Sequence, residues 1–138
     1  MRNKVQVSVS PGEVVDRLTI LELKKVNGGN KELEKERAQF EVGLQLCFNR
    51  NFKSDSPQHE QLTKLRHQLL CLNEKLWKIE DLIRSMLVTE GKPESYAAYL
   101  ELALQVPMLN DERSSLKKQI NRIFGDDGTE QKIYSRDS

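Results

Sequence analysis

Residues 58–90, QHEQLTKLRHQLLCLNEKLWKIEDLIRSMLVTE, decide the fold. Leu62, Leu65, Leu69, Leu72, Leu76, Ile79, Ile83 and Met86 alternate steps of three and four residues, the seam of a helix packed lengthwise on others. The pattern predicts one helix from about Gln58 to Glu90 and, because the seam must be covered, further helices to cover it. Downstream, Gly91-Lys92-Pro93 stops it, and a fourth helical segment begins near Glu94, offering Tyr96, Leu100, Leu104 and Val106 to the core. Pro107 interrupts that pattern. A proline inside a helix loses one hydrogen bond and clashes with the preceding turn, at about 3 kcal/mol, so a kink or restart is expected before Leu109 to Phe124.

Upstream, Asn49 to Pro57 is a polar loop ending in Ser-Asp-Ser-Pro, a ready cap for the long helix. Before it Leu33, Arg37, Phe40, Leu44 and Cys47 or Phe48 recur at helical spacing, and Gly28-Gly29 separates them from an earlier helix. Ser10, Pro11, Gly12 and Glu13 start that first helix, with serine as N-cap, proline at the first helical position and glutamate placed for a capping box; it runs to about Lys25. Val5, Val7 and Val9 alternate with polar residues, which reads as a short strand or extended arm. The expected fold is all-α: an antiparallel bundle of four to five helices behind that arm, one domain over residues 1–125. Residues 126–138 are expected to form a loosely held tail in which Ile133 and Tyr134 are available to dock.

Composition narrows the function classes. A chain of 138 residues suits a single domain with a core of its own. Twenty-two basic against 21 acidic side chains leave a net charge of +1, which gives no overall pull towards phosphate backbones or anionic lipid, and no basic stripe carries interleaved aromatics. Nucleic acid is not an expected partner. No apolar run approaches the roughly 18 residues a membrane span needs, and the opening residues lack the apolar centre of a signal peptide, so the chain is read as cytoplasmic and without a membrane partner. Cys47 and Cys71 have no metal spacing and sit at apolar helical positions, where core packing is expected. His59 and His67 have no cysteine pair near them and read as solvated, so no metal site is expected. The chain contains no phosphate-cradling glycine loop, no GxSxG and no HExxH.

The charges inside the apolar stripes are the functional clue. At about 100° per residue, with Leu76 as zero, Glu80 lies near 40°, Asn73 near 60°, Arg84 near 80° and Trp77 near 100°, so polar groups have apolar neighbours on both sides. On the last helix, with Leu116 as zero, Arg113 lies near 60°, and Lys117, Asn110 and Asn121 follow at roughly 100° to 140°. Glu22 falls between Leu18 and Val15 or Val26 on the first helix. Buried charges must be paired, hydrated or used to bind something. Glu80 and Arg84 can pair with each other at i,i+4, worth about 0.2 to 0.5 kcal/mol on a surface. Arg113 and Glu22 need partners from other helices, and Glu80 with Arg113 is the expected pair.

Two readings follow. In the first, Arg84, Arg113, Lys117 and the amides of Asn73, Asn110 and Asn121 converge on one cleft, with Trp77 as a stacking wall and Glu80 on its edge. Guanidinium forks suit phosphate or carboxylate and amides suit hydroxyls, so the ligand is an anionic, hydroxylated small molecule such as a sugar phosphate or nucleotide-linked sugar. Glu22 and Glu80 are then candidate acids or bases, provided burial raises a pKa, or candidate holders of a magnesium ion against phosphate. In the second, the protein is a helical interaction or assembly module, forming a homo-oligomer or docking a protein partner, and its buried charges only fix helix register. A cavity at the cluster marks the first; an exposed apolar patch beside mutually satisfied charges marks the second.

Motifs along most of the chain, SPGEVVDRLTILELKK, LNEKLWKIEDLIR, NDERSSLKKQIN and EQKIY, resemble an uncharacterised bacterial and phage domain family of unknown function. The resemblance implies that Glu13, Asp16, Asn73, Trp77, Glu80, Asp81, Arg84, Asn110, Asp111, Arg113, Lys117 and Asn121 are the matching positions. It implies no established reaction; members look like neighbours of bacterial glycan-biosynthesis proteins, which points to a sugar-linked ligand. The chain departs from the family pattern just before NDER, where Pro107-Met108 stand in place of a more usual aromatic.

Overall fold

The computed structural model describes residues 3–90 and 96–125. Four helices make up the bundle, in the order α1 (Pro11–Val26), α2 (Lys31–Asn51), α3 (Pro57–Glu90) and α4 (Tyr96–Ile123). Their ends follow the local chemistry. Ser10, extended at φ −69° and ψ 153°, accepts a 3.4 Å hydrogen bond from the Glu13 amide at the start of α1. At its end Asn27 returns both its backbone N–H and its side-chain amide to the Leu23 carbonyl, and Gly28 follows at φ 98°. Asn30 caps α2 by accepting from the Leu33 amide at 3.0 Å.

Close helix approaches run between α3 and α4 and between α1 and each of the other three, so α1 is the element around which the bundle is built. Cross-links set the directions. Arg17 reaches Glu36 and Lys25 reaches Glu34, Arg66 on α3 reaches Glu41 on α2, and Gly12, Glu13 and Asp16 meet Asn121, Lys117 and Arg113 in turn. Successive helices are therefore antiparallel. Val15, Leu18, Leu44, Phe48, Leu62, Leu69 and Ile120 form the main core, closed at one end by Phe52 and Phe124, whose ring centroids lie 5.2 Å and 6.2 Å from Phe48. Each large aliphatic chain buried there contributes about 1.5 to 3 kcal/mol.

With 16 residues α1 is about 24 Å long, whereas α3, with 34, is about 51 Å. Alongside the second half of α1 the two long helices also pack on each other, through a second cluster of Leu72, Leu76, Ile79 and Leu109.

Several expectations change. Residues 4–10 form no strand, and Val5, Val7 and Val9 stand exposed as an arm, since no second strand is present among the described residues to pair with them. Pro107 neither ends nor restarts α4. It lies on the solvent side of the helix, where water can satisfy the carbonyl that loses its partner. Tyr96, Leu100 and Leu104 are exposed, because Leu102, Val106 and Leu109 on the opposite side face α3 instead. Cys47 is half-buried and Cys71 is exposed, its sulfur 3.6 Å from His67 Nε2, so neither packs in the core. The expected tail, with Ile133 and Tyr134, lies outside the described residues.

Candidate functional site

The first turns of α1 and the second half of α4 are zipped together by polar groups. Gly12 donates its N–H to Asn121 Oδ1 at 2.6 Å, and Lys117 Nζ donates to Glu13 Oε1 at 2.9 Å. One turn further, buried Asp16 accepts from Arg113 at two points, Nε to Oδ1 at 2.9 Å and Nη2 to Oδ2 at 2.6 Å. Asn73 on α3 gives one amide hydrogen to Asp16 Oδ1 and the other to Thr19 Oγ1, both at 2.8 Å; Thr19 in turn donates to the Asp16 carbonyl at 2.7 Å. Because a carboxylate only accepts, these contacts also fix which end of the Asn73 amide is nitrogen. The hydrogen bond to Asp16, with added attraction from Glu13 and Glu80, raises the Arg113 pKa and keeps the guanidinium charged.

On the open side of this network, the last two turns of α1 leave a cleft of about 350 Å³ between α3 and α4. Ile20, Leu23 and Lys24 line it from α1; Asn73, Leu76, Trp77, Glu80 and Arg84 from α3; Asn110 and Arg113 from α4. Leu76, Ile20 and Leu23 supply an apolar wall beside the Trp77 ring. Among the described lining residues, three cations face one carboxylate, Glu80. Arg113 is balanced by Asp16, and Arg84 pairs with Asp81 on the surface. Lys24 has no ion pair within 4 Å among the described residues.

The sequence-selected residues thus divide. Asn73, Trp77, Glu80, Arg84, Asn110 and Arg113 share the cleft, whereas Lys117 and Asn121 hold the start of α1 instead. The expected Glu80–Arg113 pair is replaced by Asp16–Arg113. Asp16 projects from the face of α1 that meets both long helices, while Glu80 is exposed at the rim and reaches Arg113 only as a longer-range charge. Arg84 pairs with Asp81 at i+3 and not with Glu80. Glu22 is half-buried on another side of α1, where its charge acts on Arg66 and not on the cleft. Glu80 therefore lacks the burial on which an acid or base role depended, and Glu22 lies away from the cleft. Among the described residues no group of three histidine, cysteine, aspartate or glutamate side chains converges to hold a metal ion.

Asp16 and Lys24 escaped the helical-wheel reading. A signal existed for Asp16: Gly12, Asp16 and Thr19 share one face of α1 with Leu23, so small and polar residues interrupt what would otherwise be an apolar seam. A Cβ on Gly12 would lie inside contact distance of the Lys117 carbonyl oxygen and 2.9 Å from Asn121 Oδ1, so glycine lets the two helices touch. No helix among the described residues is long and apolar enough to cross a membrane. Compared with family models, with curated proteins and with solved structures, the chain matches none.

Proposed function

We propose that the cleft between α1, α3 and α4 binds an anionic, hydroxylated small molecule, a sugar phosphate or a nucleotide-linked sugar. The observation that carries this reading is the meeting, in one solvent-open cleft of about 350 Å³, of unpaired Lys24 and surface-held Arg84 with the amides of Asn73 and Asn110 and the Trp77 ring. That volume falls in the range of small-ligand sites, and a half-apolar lining with a few fixed polar groups is their usual chemistry. Lys24 and Arg84 take the anionic group, since Lys24 makes no ion pair within 4 Å among the described residues and Arg84 is held only by a surface pair with Asp81, and the amides take hydroxyls. Glu80, at the rim, is the carboxylate available to hold a magnesium ion against a bound phosphate.

A thermal-shift screen against nucleotides, sugar phosphates and magnesium tests the reading, because a ligand that binds only the native state raises the melting temperature. The expected result is a shift with phosphorylated ligands that disappears in the double variant Lys24→Gln, Arg84→Gln. A set of ligands that leaves the melting temperature of the wild type unmoved ends it.

One observation favours the assembly reading as a second possibility. Tyr96, Leu100, Leu104 and Met108 form an exposed apolar stripe along the outer side of α4, opposite the face packed on α3. An exposed apolar stripe of that kind is the surface an assembly module would offer to a partner.

A further inference from the structure

The paired long helices offer a groove on each face, and α1 fills only one of them. At about 100° per residue Trp77 and Lys75 lie on opposite flanks of Leu76, as Arg113 and Ser115 do of Leu116. The Trp77 and Arg113 side holds α1 and the ligand cleft. On the other side no described helix packs, and two hollows of about 560 Å³ and 480 Å³ follow one another between α3 and α4, both lined by Gln68 and Gln119. Together they run about 21 Å along α3, from Gln61 to Lys75. Leu65, Leu72, Leu116 and Ile123 make the floor apolar. The rim is basic: Lys64, Lys75 and Arg122 face one carboxylate, Glu112, and none of these four makes an ion pair within 4 Å among the described residues.

One end of this groove is where α4 stops. Arg122 and Ile123 line it, and Gly125, at φ 80°, takes the chain off the helix axis. The residues that follow, DDGTEQKIYSRDS, place three acids, Asp126, Asp127 and Glu130, ahead of the apolar pair Ile133 and Tyr134. Eight residues carry the chain from Gly125 to Ile133, an extended reach of up to about 26 to 29 Å, whereas the level of Leu116 lies only about 14 Å back from Gly125. We infer that residues 126–138 fold back into the groove, with the acids passing Arg122 and Lys64 and with Ile133 and Tyr134 on Leu72 and Leu116. The charges run in matching order: Lys132 and Arg136 follow the acids in the segment, as Glu112 follows Arg122 along the groove. A second copy suits this face less well, because the surface turned on itself sets Lys64, Lys75 and Arg122 against their own kind. Tethering at Gly125 also holds the segment near the groove at an effective concentration of about millimolar. The docking needs no ligand and lies across α3 and α4 from the cleft, so it is independent of the ligand-binding reading.

Cys71 lines the groove beside Leu72 and serves as the reporter, once Cys47, the other thiol of the chain, is removed by Cys47→Ser. The full chain and its Ile133→Asp, Tyr134→Asp variant, both carrying Cys47→Ser, are labelled with N-ethylmaleimide over a range of protein concentrations. Mass spectrometry reads the rate at Cys71. Both substitutions follow α4, so the helical circular-dichroism signal is expected to be the same in the two proteins. The expected result is labelling about ten-fold slower with the native segment at every protein concentration, the protection that a docking equilibrium of about ten to one confers. Equal rates in the two proteins overturn the docking. Protection that grows with protein concentration overturns it as well, and gives the groove to a second copy.

Discussion

Asp16 on α1 and Arg113 on α4, 97 residues apart in the chain, meet edge to edge, with Nε 2.9 Å from Oδ1 and Nη2 2.6 Å from Oδ2. The carboxylate side chain is 5% exposed and the guanidinium 28%, so one partner is dry and the other reaches water. Such a pair is not itself a large source of stability, because desolvation offsets much of the attraction. Its consequence is asymmetry: what matters is which member is left behind when the other is removed.

Arg113→Met strands the dry member. Asp16 then keeps only Asn73 as a side-chain donor, and the expected loss is about 3 to 5 kcal/mol in urea unfolding. Arg84→Met breaks an ion pair too, but one between side chains 64% and 57% exposed, and is expected to cost at most about 0.5 kcal/mol. Equal costs for the two variants would show that burial does not govern the Asp16 pair.

Glycine substitutions should give opposite signs at two positions. Gly12→Ala drives a methyl group against the Lys117 carbonyl, a backbone atom that cannot swing aside, so α1 and α4 must separate; about 1 to 3 kcal/mol is expected to be lost. Gly43, inside α2 with open space where a Cβ would stand, is expected to gain about 0.5 to 1 kcal/mol on change to alanine. Thermal unfolding of both variants beside the wild type decides it, and a stabilised Gly12→Ala variant refutes the close helix contact.

The fold was legible in the sequence because helical spacing survives any partner: the Leu62 to Met86 seam and the Ser10-Pro11 start need no knowledge of what packs on them. The site was legible only in part. A wheel ranks residues by angle on their own helix, so it found Asn73, Trp77, Glu80 and Arg84 as one stripe of α3, and Asn110 and Arg113 as one edge of α4. It could not say that the last turns of α1 border a cleft over the former while its first turn takes Lys117 and Asn121. Partner choice across helices was read wrongly for the same reason. Glu80 looked the nearer acid to Arg113 by pattern, while Asp16 is nearer in space.

Acid should weaken the links from α2 in a defined way. The Arg66 hydrogen bond lowers the Glu41 pKa from its ordinary 4.5, and the Arg17 hydrogen bond does the same for Glu36. A carboxyl whose folded pKa lies below its unfolded one contributes stability that is complete above the unfolded value and is lost as pH falls through the folded one. The stability gap between wild type and the double variant Glu36→Gln, Glu41→Gln is therefore expected to be small but present at neutral pH, and to narrow in acid as the pH falls below the ordinary carboxyl value of 4.5. Urea melts at neutral and acid pH measure it; a gap that persists unchanged in acid contradicts the assignment.

The outer stripe of α4 carries the last prediction. Tyr96, Leu100, Leu104 and Met108 are 65%, 52%, 66% and 66% exposed, and their four-residue spacing draws one line along the helix. An antiparallel pairing of two copies about a twofold axis would bury the line against itself, Leu100 of each over Met108 of the other. One helix face falls short of the roughly 800 Å² per partner of a standard interface, so the association should be weak and concentration-dependent. Leu104→Lys with Met108→Lys is expected to leave a monomer at every concentration without lowering the melting temperature, since neither side chain supports the core. Light scattering across a concentration series reads this directly. A wild type that stays monomeric throughout removes the self-pairing, and the stripe with it as a reason to prefer assembly over ligand binding.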